Sequence, residues 1–332
     1  MESESAGRDP LKRHGCRIGV WPMARRLGAW IMRVAVSGAS GLIGRRLLLE
    51  LRAGGHQAIA LLRRPGPAPD GAVKAVWPQA APGDWQDALR EAEAVVHLAG
   101  SPIAAGRWTA SRKREIVASR VQGTERLIDG LRAAGARPRA FLCASAVGYY
   151  GPCGDGPVDE GSPAGADFLG RVCVAWEGAA QGAQELGARV VSLRTGVVLA
   201  PDGGMLARLL PFFRLGMGGP VGSGRQWIPW ISLDDEVAAI RWLLEQEDAK
   251  GPHNLTAPEP VTSREFAGAL GRALHRPAAL PLPAALVRLL FGEMGDAVLL
   301  SGQRALPGRL AAAGFEFRHR EIDAALAACL GR

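Results

Sequence analysis

Short apolar runs alternate along most of the chain with longer segments whose apolar residues recur every three or four positions. The sharpest example is RVAVSGASGLIGRRLLLELRAGGHQAIALLRRP, which spans residues 33–65. It contains an apolar run with two valines, a glycine-rich turn, an amphipathic segment, a Gly-Gly stop and a second apolar run. This order predicts a strand, a helix and a second strand parallel to the first.

The same alternation continues to about residue 199. Strand-like runs occupy residues 94–100, 140–147 and 189–199, and helical patterns lie between them at about 109–135 and 166–187. Strands that alternate with helices predict a parallel sheet with helices on both faces. We therefore expect an α/β protein built on a doubly wound parallel sheet of the Rossmann type.

The pattern changes near residue 200, where a Gly/Pro-rich stretch begins, and the chain ends in a Pro/Leu-rich tail. We predict a Rossmann-type domain over residues 32–245, which includes parts of a smaller substrate-side region from about residue 200. A small C-terminal domain is expected over residues 246–332. Residues 1–31 precede the first strand, and they are interpreted as a disordered extension or as the result of a start codon assigned upstream of Met32.

Composition and charge narrow the function classes. The 332 residues are 48% hydrophobic and 22% charged, and no stretch is long and apolar enough to predict a membrane span. The net charge of +8 is scattered without a dense basic block, so neither nucleic-acid nor membrane binding is expected. Five cysteines without a C-x-x-C pair argue against a disulfide framework and a zinc site, and favour a reducing cytoplasm.

Glycines at three-residue spacing mark the turn after the first predicted strand. Glycine at such a turn lets the backbone approach a pyrophosphate, and the following helix N-terminus attracts its negative charge. Placed within a complete strand-helix-strand unit, the turn predicts a dinucleotide site rather than a purely structural turn. The predicted cofactor-binding residues of this turn are Gly38, Ser40, Gly41, Leu42, Ile43 and Gly44.

The end of the second strand bears on which dinucleotide is bound. An acidic residue there would hold the 2′-hydroxyl of NAD, whereas arginine suits the 2′-phosphate of NADP. The chain has no acidic residue between His56 and Asp70, and Arg63 and Arg64 stand where one would be expected. We predict NADP(H) as the cofactor, with two solvated loop charges as the alternative.

Several motifs together resemble the extended short-chain dehydrogenase/reductases of the NAD-dependent epimerase/dehydratase superfamily. They are SGASGLIG, HLAG, SAVGYYG, LRTGVVL and WISLDDEVAAI, and the likeness covers about residues 33–320. The tail LLFGEMGDAVLLSGQRALPGRLAAAGFEF is similar to the short C-terminal domain of the branch called epimerase family proteins. The resemblance implies cofactor contacts from Leu98, Ala99 and Gly100, and from Arg120, where the superfamily usually has asparagine.

The superfamily's Tyr-x-x-x-Lys pair is missing from this sequence. None of the four lysines follows a tyrosine by four positions, and Phe168, Leu169, Val172 and Cys173 stand in the region where the pair should fall. In the superfamily, the lysine lowers the pKa of the tyrosine so that it can exchange a proton with the substrate. The usual proton-transfer machinery is therefore absent.

Candidate catalytic residues remain in SAVGYYG. The resemblance assigns Ser145 to the hydroxyl that hydrogen-bonds the reacting oxygen, and Tyr149 and Tyr150 are expected beside it at a strand end. The alternatives are a serine bonded to backbone and tyrosines that only pack or hydrogen-bond. Arg120 or Lys113 could supply positive charge, although helix surface charge is the favoured interpretation of Lys113 taken alone.

Residues 222–230 suggest a substrate contact. Arg225 could bind an anionic group and Trp227 could stack on a ring, although an aromatic-anchored loop is the alternative. The paired Asp234 and Asp235 are interpreted as helix caps rather than catalytic carboxylates.

The leading hypothesis is an NADP(H)-binding oxidoreductase or epimerase that acts on an unknown small molecule. The second hypothesis is a regulatory or scaffold protein that binds NADP(H) without turnover, and its motivation is the missing Tyr-x-x-x-Lys pair. The resemblance further implies a homodimer formed through the helices near residues 109–135 and 166–187.

Overall fold

A computed structural model describes residues 31–63, 73–76 and 84–331 of the chain. The expectation for the N-terminal extension falls almost wholly outside these residues, and so does Arg64. Each remaining predicted site residue lies within them.

Thirteen strands are found in the described residues. In chain order they are β1 (Arg33–Ser37), β2 (Gln57–Leu62), β3 (Val73–Val76), β4 (Ala94–His97), β5 (Ala140–Ala146), β6 (Pro157–Val158), β7 (Arg189–Thr195), β8 (Val197–Ala200), β9 (Trp227–Ile228), β10 (Trp230–Ser232), β11 (Gly251–Leu255), β12 (Val261–Thr262) and β13 (Arg304–Ala305). Seven of them form one sheet in the order β11-β7-β5-β4-β1-β2-β3. All neighbours in this sheet are parallel. The predicted parallel sheet is confirmed.

Eleven α-helices accompany these strands in the described residues. They are α1 (Leu42–Ala53), α2 (Asp84–Arg90), α3 (Ala110–Ala133), α4 (Phe168–Ala180), α5 (Gly204–Arg214), α6 (Leu233–Glu245), α7 (Ser263–Leu274), α8 (Ala284–Phe291), α9 (Glu293–Val298), α10 (Gly308–Ala312) and α11 (Ile322–Cys329). Short 3-10 helices cover Val147–Tyr150 and Gln181–Leu186.

Helices cover both faces of the sheet, as the alternating sequence pattern predicts. On one face, leucines of α1 and apolar residues of α6 pack on alternate residues of β1, β5 and β7. On the other face, α2, α3 and α4 pack on the intervening residues of the same strands. This arrangement buries the strands on both sides, which explains why they read as nearly continuous apolar runs.

The run at residues 189–199, predicted as one strand, divides into β7 and β8 at Gly196. A side chain at Gly196 would place its Cβ 2.2 Å from the carbonyl oxygen of Pro229. After this break, β8 leaves the sheet and pairs with β10. The close approach of a distant segment therefore ends β7 where the apolar pattern does not.

The sheet continues past the boundary expected at residue 245, because its edge strand β11 pairs with β7. Beyond β11, helices α7 and α11 pack with α5 and β8 in a separate apolar cluster. The C-terminal residues are also joined to the sheet region by Asp235, whose carboxylate accepts hydrogen bonds from the backbone N–H groups of Arg318 and His319 at 2.8 and 3.0 Å.

Candidate functional site

The turn between β1 and α1 has a conformation and packing that require glycine. Gly38 has φ +71°, and a Cβ there would lie 2.9 Å from the carbonyl carbon of Leu98. At Gly44, a Cβ would lie 2.2 Å from the carbonyl oxygen of Gly38. These contacts hold the turn against the segment after β4 and seat the start of α1 on the turn.

The N-terminus of α1 is left open. Its N-cap is Gly41, no side-chain hydrogen bond caps it, and its first turn carries no acidic residue. The helices α3, α4, α6 and α7 are each capped by a Thr, Asp or Ser side chain, whereas α5, α8, α9, α10 and α11 also lack a side-chain cap. What distinguishes α1 is that its open end follows the glycine turn at the end of β1. Ser40 and Gly41 are exposed, and Leu42 and Ile43 are half-buried. The uncapped N–H groups and the helix dipole therefore form an accessible anion site, which fits a pyrophosphate.

Arg63 lies at the same edge of the sheet as the glycine turn. It directly follows β2, whose Leu61 is in register with Ser37 at the end of β1, and its side chain is exposed. This is the position from which a cation could reach a group on the adenosine side of a dinucleotide. On the other side of the turn, Leu98 and Ala99 are half-buried, and Gly100 is exposed.

A buried ion pair lies next to Ser145. Arg194 on β7 donates from Nε and Nη2 to the two carboxylate oxygens of Glu177 on α4, at 2.9 and 3.0 Å. The Ser145 hydroxyl donates to Glu177 Oε1 at 2.6 Å. The serine is therefore bonded to a carboxylate rather than to backbone, and its position is set by this pair.

Tyr150 belongs to the same network, and its hydroxyl both donates and accepts a hydrogen bond within it. Its hydroxyl donates to Asn254 Oδ1 at 2.6 Å and accepts from Arg194 Nη1 at 3.1 Å. Burial raises the pKa of Tyr150 to about 12, so its phenol stays protonated at neutral pH. Tyr150 therefore fits the hydrogen-bonding alternative better than a proton-exchanging role.

Tyr149 is placed differently. It is half-buried, contacts Tyr150 edge-on with ring centroids 5.3 Å apart, and has the Arg194 guanidinium 3.4 Å from its own ring centroid. Its hydroxyl makes no hydrogen bond with any residue that the structure describes. Of the two tyrosines, Tyr149 is the one whose hydroxyl remains available to a ligand.

The region of the missing Tyr-x-x-x-Lys pair contributes no proton donor of suitable acidity. Leu169 lies beside Gly148, where an added Cβ would be 3.4 Å from the leucine Cβ. Cys173 is buried behind Ser145, and burial raises the pKa of its thiol to about 11. The thiol is therefore neutral at physiological pH.

Lys113 does not supply charge to this network. Its Nζ lies 2.6 Å from Glu293 Oε1 on α9 and 5.1 Å from the ring centroid of Phe168. This lysine ties α3 to the C-terminal region.

The substrate candidates at residues 225–227 are held in different ways. Arg225 is exposed, whereas Gln226 Nε2 donates to the carbonyl oxygens of Val221 and Leu299 at 3.0 and 2.8 Å. Trp227 donates from Nε1 to Asp155 at 3.2 Å and lies under the Arg304 guanidinium. Trp227 is thus anchored between two segments, as the aromatic-anchored alternative requires, whereas the Arg225 side chain makes no hydrogen bond or ion pair with any described residue.

The prediction that Asp234 and Asp235 cap α6 is corrected by the geometry. Ser232 is the N-cap, and its hydroxyl accepts from the backbone N–H of Asp235 at 3.1 Å. Asp234 instead forms an ion pair with Arg46 of α1 at 2.9 Å. Serine competes with aspartate for this role, and the sequence alone does not show which residue begins the helix.

The described part of the chain contains neither a cluster of metal ligands nor a helix suited to span a membrane. No group of three or more His, Cys, Asp or Glu side chains there could hold a metal ion. Among the helices of that part, none is long and apolar enough to cross a membrane.

Comparison with known proteins identifies the family. The sequence model of the NAD dependent epimerase/dehydratase family matches residues 34–256, and a domain of unknown function, DUF1731, matches residues 282–329. The chain is 47% identical to epimerase family protein Mb2239 of Mycobacterium bovis over 88% of this chain and 96% of that protein. It is 37% identical to human epimerase family protein SDR39U1 over 89% of this chain and 98% of that one.

A solved structure gives the same result for the fold. The crystal structure of human epimerase family protein SDR39U1 (isoform 2) with NADPH superposes with a TM-score of 0.80 at 35% identity. The match covers 90% of this chain and 99% of the human chain. The resemblance that the sequence motifs carry is confirmed.

Proposed function

The chain belongs to the NAD dependent epimerase/dehydratase family, and from that premise we propose that it binds NADP(H) and acts as an oxidoreductase or epimerase on a small molecule. The observation that carries the proposal is the uncapped N-terminus of α1 behind Gly38, with Arg63 exposed at the end of β2. The human relative whose structure contains NADPH supports the choice of cofactor.

In this proposal the pyrophosphate lies on the N-terminus of α1, and Arg63 binds the 2′-phosphate. Arg64 is assigned to the same phosphate, and Leu98, Ala99 and Gly100 border the cofactor on the other side of the turn. The bound nicotinamide would supply or accept a hydride. Ser145 and Tyr149 are then the hydroxyl groups that face the reacting oxygen.

These two hydroxyls differ in what they can do with a proton. The Ser145 hydroxyl donates a hydrogen bond to Glu177, so its oxygen can accept a hydrogen bond from a substrate hydroxyl without rearrangement of the serine. Tyr149 has an uncommitted hydroxyl and can donate to a substrate carbonyl. We assign Tyr149 to the donor role and Ser145 to positioning of the reacting oxygen.

Replacing Arg63 with Ala is expected to weaken NADPH binding by about 10- to 100-fold, because a charge-assisted hydrogen bond to phosphate is lost. NADH lacks the 2′-phosphate, so its affinity should not change. Quenching of tryptophan fluorescence gives both dissociation constants, and Arg126→Ala, an exposed arginine on α3, is the matched control. Equal affinity of the unmodified protein for NADPH and NADH would contradict the assignment of Arg63.

A second candidate function is a regulatory protein that binds NADP(H) without turnover. It is favoured by the apolar or neutral side chains of Leu169 and Cys173 where the family's proton-transfer pair would fall. For the enzyme hypothesis, we expect a screen of carbonyl and hydroxyl compounds to show net oxidation or reduction of the nicotinamide for an oxidoreductase, or inversion of a stereocentre without such a net change for an epimerase. Replacing Ser145 with Ala should then lower the rate about 100-fold. NADPH-dependent capture of a protein partner, together with no turnover on any compound, would favour the second function.

The proposal also covers compartment and assembly. Within the described residues, Cys143, Cys153, Cys173 and Cys329 form no disulfide bond, which fits a reducing compartment such as the cytoplasm. The family resemblance leads us to include a homodimer through α3 and α4 in the proposal.

A further inference from the structure

Three arginines are buried among the described residues, and they differ in their partners. Arg194 forms the bidentate ion pair with Glu177. Arg241 lies 3.4 Å from Glu50 and 3.6 Å from Glu245. Arg120 on α3 is 7% exposed, and no carboxylate among the described residues pairs with it.

The contacts of Arg120 use one side of its guanidinium. Nη1 donates to the carbonyl oxygens of Ser101 and Ile116 at 3.0 and 3.2 Å, and the guanidinium lies 4.9 Å from the ring of Trp176. Nε and Nη2 make no hydrogen bond with any described residue. The outer edge of the guanidinium is therefore free to bind a ligand.

The charged groups near Arg120 do not neutralise it. Arg112 is a like charge, and Cys173 is a neutral thiol because burial raises its pKa to about 11. Burial lowers the pKa of Arg120 itself. A buried cation without a counter-ion is costly, and such a group is retained in proteins when something else pairs with it.

The free edge of Arg120 lies at the predicted cofactor site. A Cβ added to Gly100 would be 3.4 Å from Arg120 Cζ and 3.5 Å from Nη2. Gly100 is exposed and follows β4, the strand next to β1 on the side away from β2. Arg63 after β2 and Arg120 beside β4 therefore lie on opposite sides of the glycine turn.

We propose that Arg120 binds the nicotinamide half of the dinucleotide, through its phosphate and ribose hydroxyls, and that this half supplies the partner that the buried guanidinium lacks. The planar fork of arginine suits both groups, since each presents paired oxygens. The assignment rests on the proposed NADP(H) function. It places the positive charge of the nicotinamide side on α3, whereas the family pattern places a lysine on the helix that here is α4.

The test separates the two halves of the cofactor. We titrate three proteins with NADPH and with adenosine 2′,5′-bisphosphate, which lacks the nicotinamide half. They are Arg120→Gln, the control Arg126→Gln on the same helix, and the unmodified protein. We expect Arg120→Gln to weaken NADPH by about 10- to 100-fold and to leave the bisphosphate unchanged. Arg126→Gln should change neither.

Thermal unfolding without ligand provides a second readout. Arg120→Gln removes a buried charge, but it also removes the hydrogen bonds of Nη1 to the carbonyl oxygens of Ser101 and Ile116, so thermal unfolding serves to show that the variant is folded during the titrations. An arginine that only supports the fold would weaken both ligands equally, and this outcome would overturn the proposal. Unchanged NADPH affinity would also overturn it, while the cofactor assignment would stand. Failure of the unmodified protein to bind either ligand would overturn the NADP(H) function and this inference with it.

Discussion

Replacing Glu177 with Leu is expected to lower the free energy of unfolding by about 3–5 kcal/mol, because it leaves Arg194 as a buried charge without its partner. The guanidinium would keep its hydrogen bond to the hydroxyl of Tyr150, at 3.1 Å, and its contact with the ring of Tyr149. Ser145 would also lose the acceptor of its hydroxyl proton. Two buried polar groups, Arg194 and Ser145, thus lose a partner through one substitution.

A double-mutant cycle distinguishes the ion pair from simple loss of packing. Denaturant unfolding is measured for Glu177→Leu, Arg194→Met and the double variant, all of which keep similar side-chain volumes. We expect the double variant to be more stable than Glu177→Leu alone, since an apolar pair replaces the unpaired charge. If Glu177→Leu costs less than about 1 kcal/mol, in the range of an exposed pair, the pair is not buried as described.

Replacing Glu236 with Gln is expected to stabilise the protein at pH 8 by about 2–4 kcal/mol and to have little effect near pH 4.5. Glu236 is fully buried in the first turn of α6, and burial raises the pKa of its carboxyl from 4.5 to about 8. Oε1 accepts from the hydroxyl of Thr195 at 2.8 Å, and Oε2 has no partner within the described residues.

The direction of the pH effect follows from which state loses its proton first. As the pH rises from about 4.5, the unfolded chain ionises Glu236 while the folded protein still holds the proton. The stabilising contribution is therefore complete below about pH 4.5, falls up to about pH 8, and stays constant above that pH. Glutamine does not ionise, so the variant does not lose this stability as the pH rises.

Denaturant unfolding at pH 5, 6.5 and 8 checks this prediction on both proteins. Glu125→Gln, at an exposed position on α3, is the matched control for the substitution of Glu by Gln. A stability difference between Glu236→Gln and the unmodified protein that does not grow from pH 5 to pH 8 would contradict a protonated buried carboxyl.

The parts of the fold that local sequence determines were predictable. The unit from β1 to β2 follows from apolar periodicity and from Gly38, whose positive φ is a local requirement of the turn. The sequence does not predict the strand β11, because GPHNL has glycine and proline and lacks the β-branched residues typical of strands. Its place at the edge of the sheet depends on pairing with β7, which sequence patterns do not show.

The site was predictable in position and less so in chemistry. Ser145, Tyr149 and Tyr150 could be placed at a strand end from the motif alone. The bond from Tyr150 to Asn254 and the ion pair of Arg194 with Glu177 join residues from different elements, and only tertiary packing sets the directions of these side chains. The sequence likewise does not predict that Arg120 lacks a carboxylate partner among the described residues, because this depends on which side chains the tertiary structure places around α3.

The position of β11 has a consequence for synthesis on the ribosome. The chain emerges N-terminus first, so one edge of β7 stays unpaired until Leu255 has been made. The hydrogen bond from Tyr150 to Asn254 also cannot form until that segment has been made. The pairing of β6 with β13 must wait still longer, until residues 304–305 emerge. Nascent chains of this protein therefore carry an unpaired strand edge during elongation. We expect cellular chaperones to bind them most readily in this state.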